Sequence, residues 1–208
     1  MKSRLPSPTS RPRRGAIAAG FDGVELHGAN GYLIHQFLAP NANTRDDSWG
    51  GHAESRTRFA VEVAKAVVEA VGSDRVGFRI SPGATFNDIE DDPDQIGTYG
   101  RLVAELADFD LAYLHVMEGP YRSVTEELRR IWPGTLVLNP FTGAEPTGPA
   151  ALGLIDDGVA DIISFGAMFL ANPDLPARLE KGAPLNAPHP ETFYGGDAQG
   201  YTDYPTLN

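Results

Sequence analysis

From residue 20 onward, short apolar runs alternate with helix-period segments, and this alternation constrains the chain more than any other feature. The runs at 23–26, 76–80, 111–116, 135–138 and 161–165 are short and continuously apolar, as strands buried on both faces of a sheet should be. Over 54–70, Phe59, Val63, Ala66, Val67 and Ala70 share one helix face, and Gly72 stands just past its end. Over 95–107, Ile96, Tyr99, Val103 and Leu106 do the same. "SVTE" (123–126) has the form of a capping box, and "NPDL" (172–175) puts Pro173 at a first helical position of a helix that Gly182 closes. Strand–helix alternation predicts a parallel sheet, which closed on itself is a (β/α)8 barrel with its chemistry at the carboxyl ends of the strands. A complete barrel takes ~250 residues. The expected fold class is therefore α/β, of the (β/α)8 TIM-barrel kind, present as an incomplete barrel of about five parallel βα units.

Charge and composition narrow the partners. A formal net charge of −11 argues against a nucleic-acid or anionic-membrane surface, both of which reward clustered Lys and Arg. No cysteine is present, which removes disulfides, thiolate metal sites and thiol nucleophiles and suits a reducing cytoplasm. No apolar run approaches the ~18–20 residues of a membrane helix. Residues 1–14, "MKSRLPSPTSRPRR", are basic and proline-rich with no acid, and read as a disordered arm ahead of a barrel domain over 15–208.

One connection departs from the alternation. Between the strand ending at Leu26 and the helix starting near Glu54 lie 27 residues, where ordinary βα loops run to roughly 2–6. The loop opens on "HGANGY" (27–32), continues as an apolar helical turn, "YLIHQFL", and ends in "NANTRDDSWGG". Asn30 and Gly31 are turn residues, so the hexapeptide alone reads as a turn or as a reaction site. No third ligand accompanies Asp46 and Asp47, and His35, His52, His115 and His189 lack metal-ligand spacing, so no metal is expected. "NDIEDDPDQ" (87–95) reads as a solvated acidic loop.

The stretch "GFDGVELHGANGYLIHQFLAPNANTRDDSWGGHAESRTRF", with "VGFRISP", "SFGAMFLANPDLPARLEKGAPLN" and "TFYGGDAQGYTDYP" after it, resembles the old yellow enzyme family, the FMN-dependent NAD(P)H:flavin oxidoreductases and ene-reductases. The resemblance runs from residue 15 to nearly the C-terminus. It implies that FMN, reduced by NAD(P)H, passes hydride to an electron-poor alkene such as an enone or a nitroalkene. It implies that His27 and Asn30 hydrogen-bond the substrate's carbonyl or nitro oxygen, and that Tyr32 supplies the proton. It further implies that Arg79 approaches the flavin ring and stabilises its anionic reduced form, and that Phe193 and Tyr194 pack beside the cofactor. Arg79 also reads, without the resemblance, as a strand-end arginine paired with Glu25.

Two departures from the family's pattern shape the expectations. The phosphate of FMN is expected near Asn139, Gly166 and Ala167, yet Ala167 stands where the resemblance calls for an arginine, and Pro140 removes a backbone donor. Weakened FMN binding follows. Three βα units of the family's barrel have no counterpart in the sequence. That implies a truncated chain with open sheet edges that favour self-association. The alternatives are a non-catalytic remnant that does not bind FMN by itself and, with less support, a phosphate-ligand barrel enzyme of another chemistry.

Overall fold

The computed structural model describes residues 11–207. Eight α-helices and five strands are described: α1 (Arg11–Ala18), β1 (Val24–Gly28), α2 (Leu33–Leu38), α3 (Ala53–Val71), β2 (Val76–Ile80), α4 (Gln95–Ala107), β3 (Tyr113–Met117), α5 (Arg122–Ile131), β4 (Leu136–Asn139), α6 (Gly153–Asp156), β5 (Ile162–Ile163), α7 (Ala167–Ala171) and α8 (Leu175–Lys181). The strands form one sheet in the order β1-β2-β3-β4-β5 with every neighbour parallel, the wall of an incomplete (β/α)8 barrel. Residues 1–10 of the expected arm lie outside the described residues, and its last four residues open α1.

One face of the sheet packs against α3, α4 and α5. Phe78, Leu114, Val116, Leu136 and Leu138 are fully buried there, against Ala60, Ala64 and Val67 of α3, Leu102, Val103 and Leu106 of α4, and Leu128 of α5. Each such leucine contributes about 1.5–3 kcal/mol by leaving water, so this layer carries much of the fold. The spacing of Ala60, Ala64 and Val67, one and two turns apart, lets α3 lie close to the strands.

The opposite, inner face differs from expectation. β3 and β4 alternate instead of being buried on both sides, and Ile162 of β5 is about half exposed, whereas β2 is buried at every residue but Arg79. Side chains of successive strand residues point to opposite faces, and the inner set is polar on β1 to β3, with Glu25, His27, Arg79, Tyr113 and His115, and includes apolar Met117, Val137 and Ile162 towards β5. His115 ties this face together, with Nδ1 2.9 Å from Glu25 Oε2 and Nε2 3.0 Å from Ser164 Oγ. Burial pushes the Glu25 carboxyl up, but the hydrogen bond and charge of His115, with Tyr113 and Arg79 behind them, outweigh it and hold the group below its ordinary value.

Three local readings are corrected. The capping box at 123–126 is not formed: α5 begins at Arg122 after Tyr121, with no side-chain cap. The helix starts early because Arg122 reaches back one turn to Glu118, Nε to Oε1 at 2.7 Å. Pro173 lies between α7 and α8, and the proline in the first turn of α8 is Pro176; Gly182, in the left-handed region at φ 59°, does end that helix. The acidic segment 87–95 is not simply solvated. Ile89 is buried, and the Asp92 carboxylate pairs at 3.1 Å with the Arg56 guanidinium, both side chains 9 % exposed.

Candidate functional site

β1 runs two residues further than the apolar pattern indicates, so His27 is part of the strand and Gly28 ends it. A Cβ on Gly28 would stand 2.5 Å from the Phe78 ring, which explains the glycine. The chain then turns: Tyr32 N–H donates to Ala29 O (3.2 Å), with Asn30 at φ 56° and Gly31 at φ 78°. Asparagine tolerates the left-handed region and glycine adopts it freely. Gly31 is required for a second reason, since a Cβ there would lie 2.5 Å from Phe86 O. The turn delivers Tyr32 to the start of α2, its ring centroid 5.1 Å from that of His27. The hexapeptide is thus a turn, and the turn is what brings His27 and Tyr32 together.

Parallel register sets Arg79 beside this corner, since His27 on β1 is the direct neighbour of Arg79 on β2. Partial desolvation and then the Arg79 charge hold His27 below the ordinary imidazole value, which leaves it neutral at pH 7 with one N–H to donate. The expected Arg79–Glu25 pair is not made, because Glu25 is taken by His115. Arg79 Nε is buried without a partner among the described residues, and so is Asn30 Oδ1. Buried polar atoms left without partners are places where a ligand can complete the hydrogen bonding. Turning the Asn30 amide by 180° exchanges donor and acceptor, so either can face a ligand.

A support layer that the sequence reading passed over lies under the corner. Gly31 N–H donates to His35 Nδ1 (2.9 Å), which leaves the proton of His35 on Nε2, 2.9 Å from the Tyr99 hydroxyl. Burial drives the His35 pKa down to about 4, and the nearby His27 adds to this. Ser81 Oγ accepts the Asn30 N–H (2.8 Å), and Asn87 Nδ2 donates to Asn30 O (2.7 Å). The available sequence signal was a lone histidine on the buried side of the apolar turn "LIHQFL".

The remaining expected residues fall in two other places. Asn139, Gly166 and Ala167 line a cavity of about 630 Å³ at the carboxyl ends of β2 to β5, in the size range of small-molecule sites. Phe86, whose backbone abuts Gly31, lines it too and joins it to the corner. Phe193 is half-buried and Tyr194 is 94 % exposed, and neither lines that cavity; both follow a short 3₁₀ turn at Pro190–Thr192. Among the described residues no group of three or more His, Cys, Asp or Glu is placed to hold a metal ion, and no helix is long and apolar enough to cross a membrane.

A family model described as NADH:flavin oxidoreductase / NADH oxidase matches residues 11–186. A Leishmania infantum protein named "probable flavin mononucleotide-dependent alkene reductase" is 48% identical over 199 residues, covering 93% of this chain and 53% of that protein. The 12-oxophytodienoate reductase 1 of Oryza sativa subsp. japonica is 47% identical over 209 residues, covering 95% and 53%. Among solved structures, an old yellow enzyme homologue from Zymomonas mobilis superposes with a TM-score of 0.88 at 36% identity, over 96% of this chain and 57% of that one. Morphinone reductase in complex with tetrahydroNAD gives 0.87 at 42% identity, over 96% and 54%. The chain spans about half the length of these relatives.

Proposed function

Because the chain belongs to the NADH:flavin oxidoreductase / NADH oxidase family, we propose that it serves the reduction of electron-poor alkenes, enones and nitroalkenes, with NAD(P)H as reductant and flavin mononucleotide as carrier. The observation that carries the reading is the pairing of His27 with Tyr32 at one strand end beside Arg79, with polar atoms of Asn30, in the turn between them, and of Arg79 buried and unpartnered. Those orphaned atoms fit the ring edge of a flavin and a carbonyl-bearing substrate. When bound, the flavin supplies the hydride. Everything else is done by side chains of this chain. His27, neutral at pH 7, and the Asn30 amide donate to a carbonyl or nitro oxygen and stabilise the negative charge that gathers there. Tyr32 holds a proton on Oη for the carbon next to that carbonyl. Arg79 places a fixed positive charge at the same strand level, where negative charge on a reduced ring would be stabilised. We place Phe193 and Tyr194 beside the cofactor only in a state where the C-terminal segment folds over the cavity. The barrel domain is taken to begin near residue 15. A reducing, cytoplasmic setting suits a chain without cysteine.

The reading is tested by titrating the full chain with flavin mononucleotide, following the flavin absorbance, and then assaying NADPH-dependent reduction of cyclohexenone. Saturable binding and turnover are expected. His27→Ala should lower turnover by about 10²–10³-fold, as removal of an oxyanion donor does, and Tyr32→Phe by about 10²-fold or more, as loss of a general acid does. Binding without turnover, or turnover indifferent to His27→Ala, would sink the reading. One observation favours a second reading, in which the chain binds no flavin mononucleotide by itself: no lysine or arginine lines the 630 Å³ cavity.

A further inference from the structure

The charge around the cavity is the wrong sign for a phosphate. Its ionisable lining consists of Asp91, Glu118 and Glu145. The nearest guanidinium, that of Arg122, is already committed to Glu118, with Nε 2.7 Å from Oε1 and Nη2 2.9 Å from Oε2. The neutral donors at the end of β4 are committed as well, whereas the Gly166 and Ala167 N–H groups have no acceptor among the described residues. Pro140 has no N–H, and the Phe141 N–H donates to Glu118 Oε2 at 3.0 Å. The Asn139 amide donates to Thr147 Oγ1 (3.2 Å) and Ser164 O (3.1 Å). At the end of β4, then, the Glu118 carboxylate occupies the Phe141 N–H, and the Asn139 amide is taken by Thr147 and Ser164. The rest of the lining suits an uncharged aromatic ligand, with Phe86, Met117, Pro140 and Phe141 around a space large enough for one.

We infer that this cavity gives the phosphate of a flavin no net attraction, and that the chain takes riboflavin at least as tightly as flavin mononucleotide, with Glu118 as the residue that sets this preference. The inference rests on the flavin reading above and concerns only how the phosphate end is received. A phosphate carrying close to two negative charges meets no free cation in this lining, because the Arg122 charge is spent on Glu118, and it is repelled by the Asp91 and Glu145 carboxylates. Asp91 and Glu145 are exposed, so salt weakens the repulsion.

The test is a pair of fluorescence-quenching titrations of the full chain, one with riboflavin and one with flavin mononucleotide, at low and high salt. Riboflavin is expected to bind about threefold tighter at low salt, with the ratio falling towards one at high salt. Ala167→Arg, which adds a cation to the lining, is expected to tighten flavin mononucleotide about tenfold while riboflavin changes by less than about twofold. A tighter constant for flavin mononucleotide than for riboflavin in the unmodified chain overturns the inference and leaves the flavin reading standing. Binding of neither flavin overturns both.

Discussion

His35 is the residue on which the corner most depends, although it never reaches the surface. It accepts the Gly31 N–H and sits against Tyr99, and burial holds its pKa near 4, well below the ordinary imidazole value of 6.5. Below pH 6.5 the unfolded chain binds a proton that the folded chain refuses, so stability is complete above 6.5 and falls as the pH drops towards 4. The loss is on the order of 3 kcal/mol. Urea unfolding at pH 7.5 and pH 4.5 should show it, and His35→Gln, less stable throughout, should show a shallower pH dependence. An unchanged dependence in the variant would mean that other groups carry it. His27, Asn30 and Tyr32 could be picked out in the sequence as candidates because the resemblance to a family spans the segment around them, where the hexapeptide alone reads equally as a turn. His35 could not, because its role depends on Tyr99, far along the chain, and on a turn whose path only the folded backbone shows.

At the level of elements, the long connection between β1 and α3 is held by one buried arginine. Arg56, in the first turn of α3, donates from Nε to Leu38 O (2.7 Å), from Nη1 to Gly51 O (2.7 Å), and from Nη2 to Thr98 Oγ1 (2.7 Å) and Asp92 Oδ2 (3.1 Å). It joins the end of α2, the loop, the acidic segment and α4. Removing it leaves Asp92 as a buried carboxylate without a counter-charge, its remaining partners the Thr98 hydroxyl at 2.8 Å and the Asp94 N–H at 2.9 Å. Arg56→Met is expected to cost about 3–5 kcal/mol, and Arg56→Met with Asp92→Asn distinctly less than the sum of the two single changes. Denaturant midpoints of the four proteins close that cycle; additive losses would show that the pair is not coupled. The spans of α3 and α4 were readable from periodicity, because apolar spacing reports directly which face is buried. The start of α5 and the state of the acidic segment were not. Each is decided by a single ion pair, Arg122 with Glu118 and Arg56 with Asp92, and a pattern of residue types does not say which charges will meet.

For the molecule as a whole, the sheet ends at β1 on one side and β5 on the other among the described residues, and its inner face is partly exposed, with half-exposed Ile162 at the β5 edge. Unpaired parallel edges are templates for further strands. This chain, expressed by itself, is expected to associate: sedimentation velocity over a hundredfold range of concentration should show a rising mean coefficient. A constant monomer value would count against edge pairing. The stitches around the corner carry a further consequence. The loop after β1 and the loop after β2 are joined through Asn30 and Ser81, Asn87 and Asn30, Asn41 and Asp88, and Glu90 and Asn41. Neither loop can open by local fluctuation while the other stays closed, so they form one cooperative unit. In native-state hydrogen exchange the amides of Asn30 and Glu90, remote in sequence, should therefore lose their protection together and at the same denaturant concentration. The His27–Tyr32 geometry then persists for as long as the second strand's loop holds its shape.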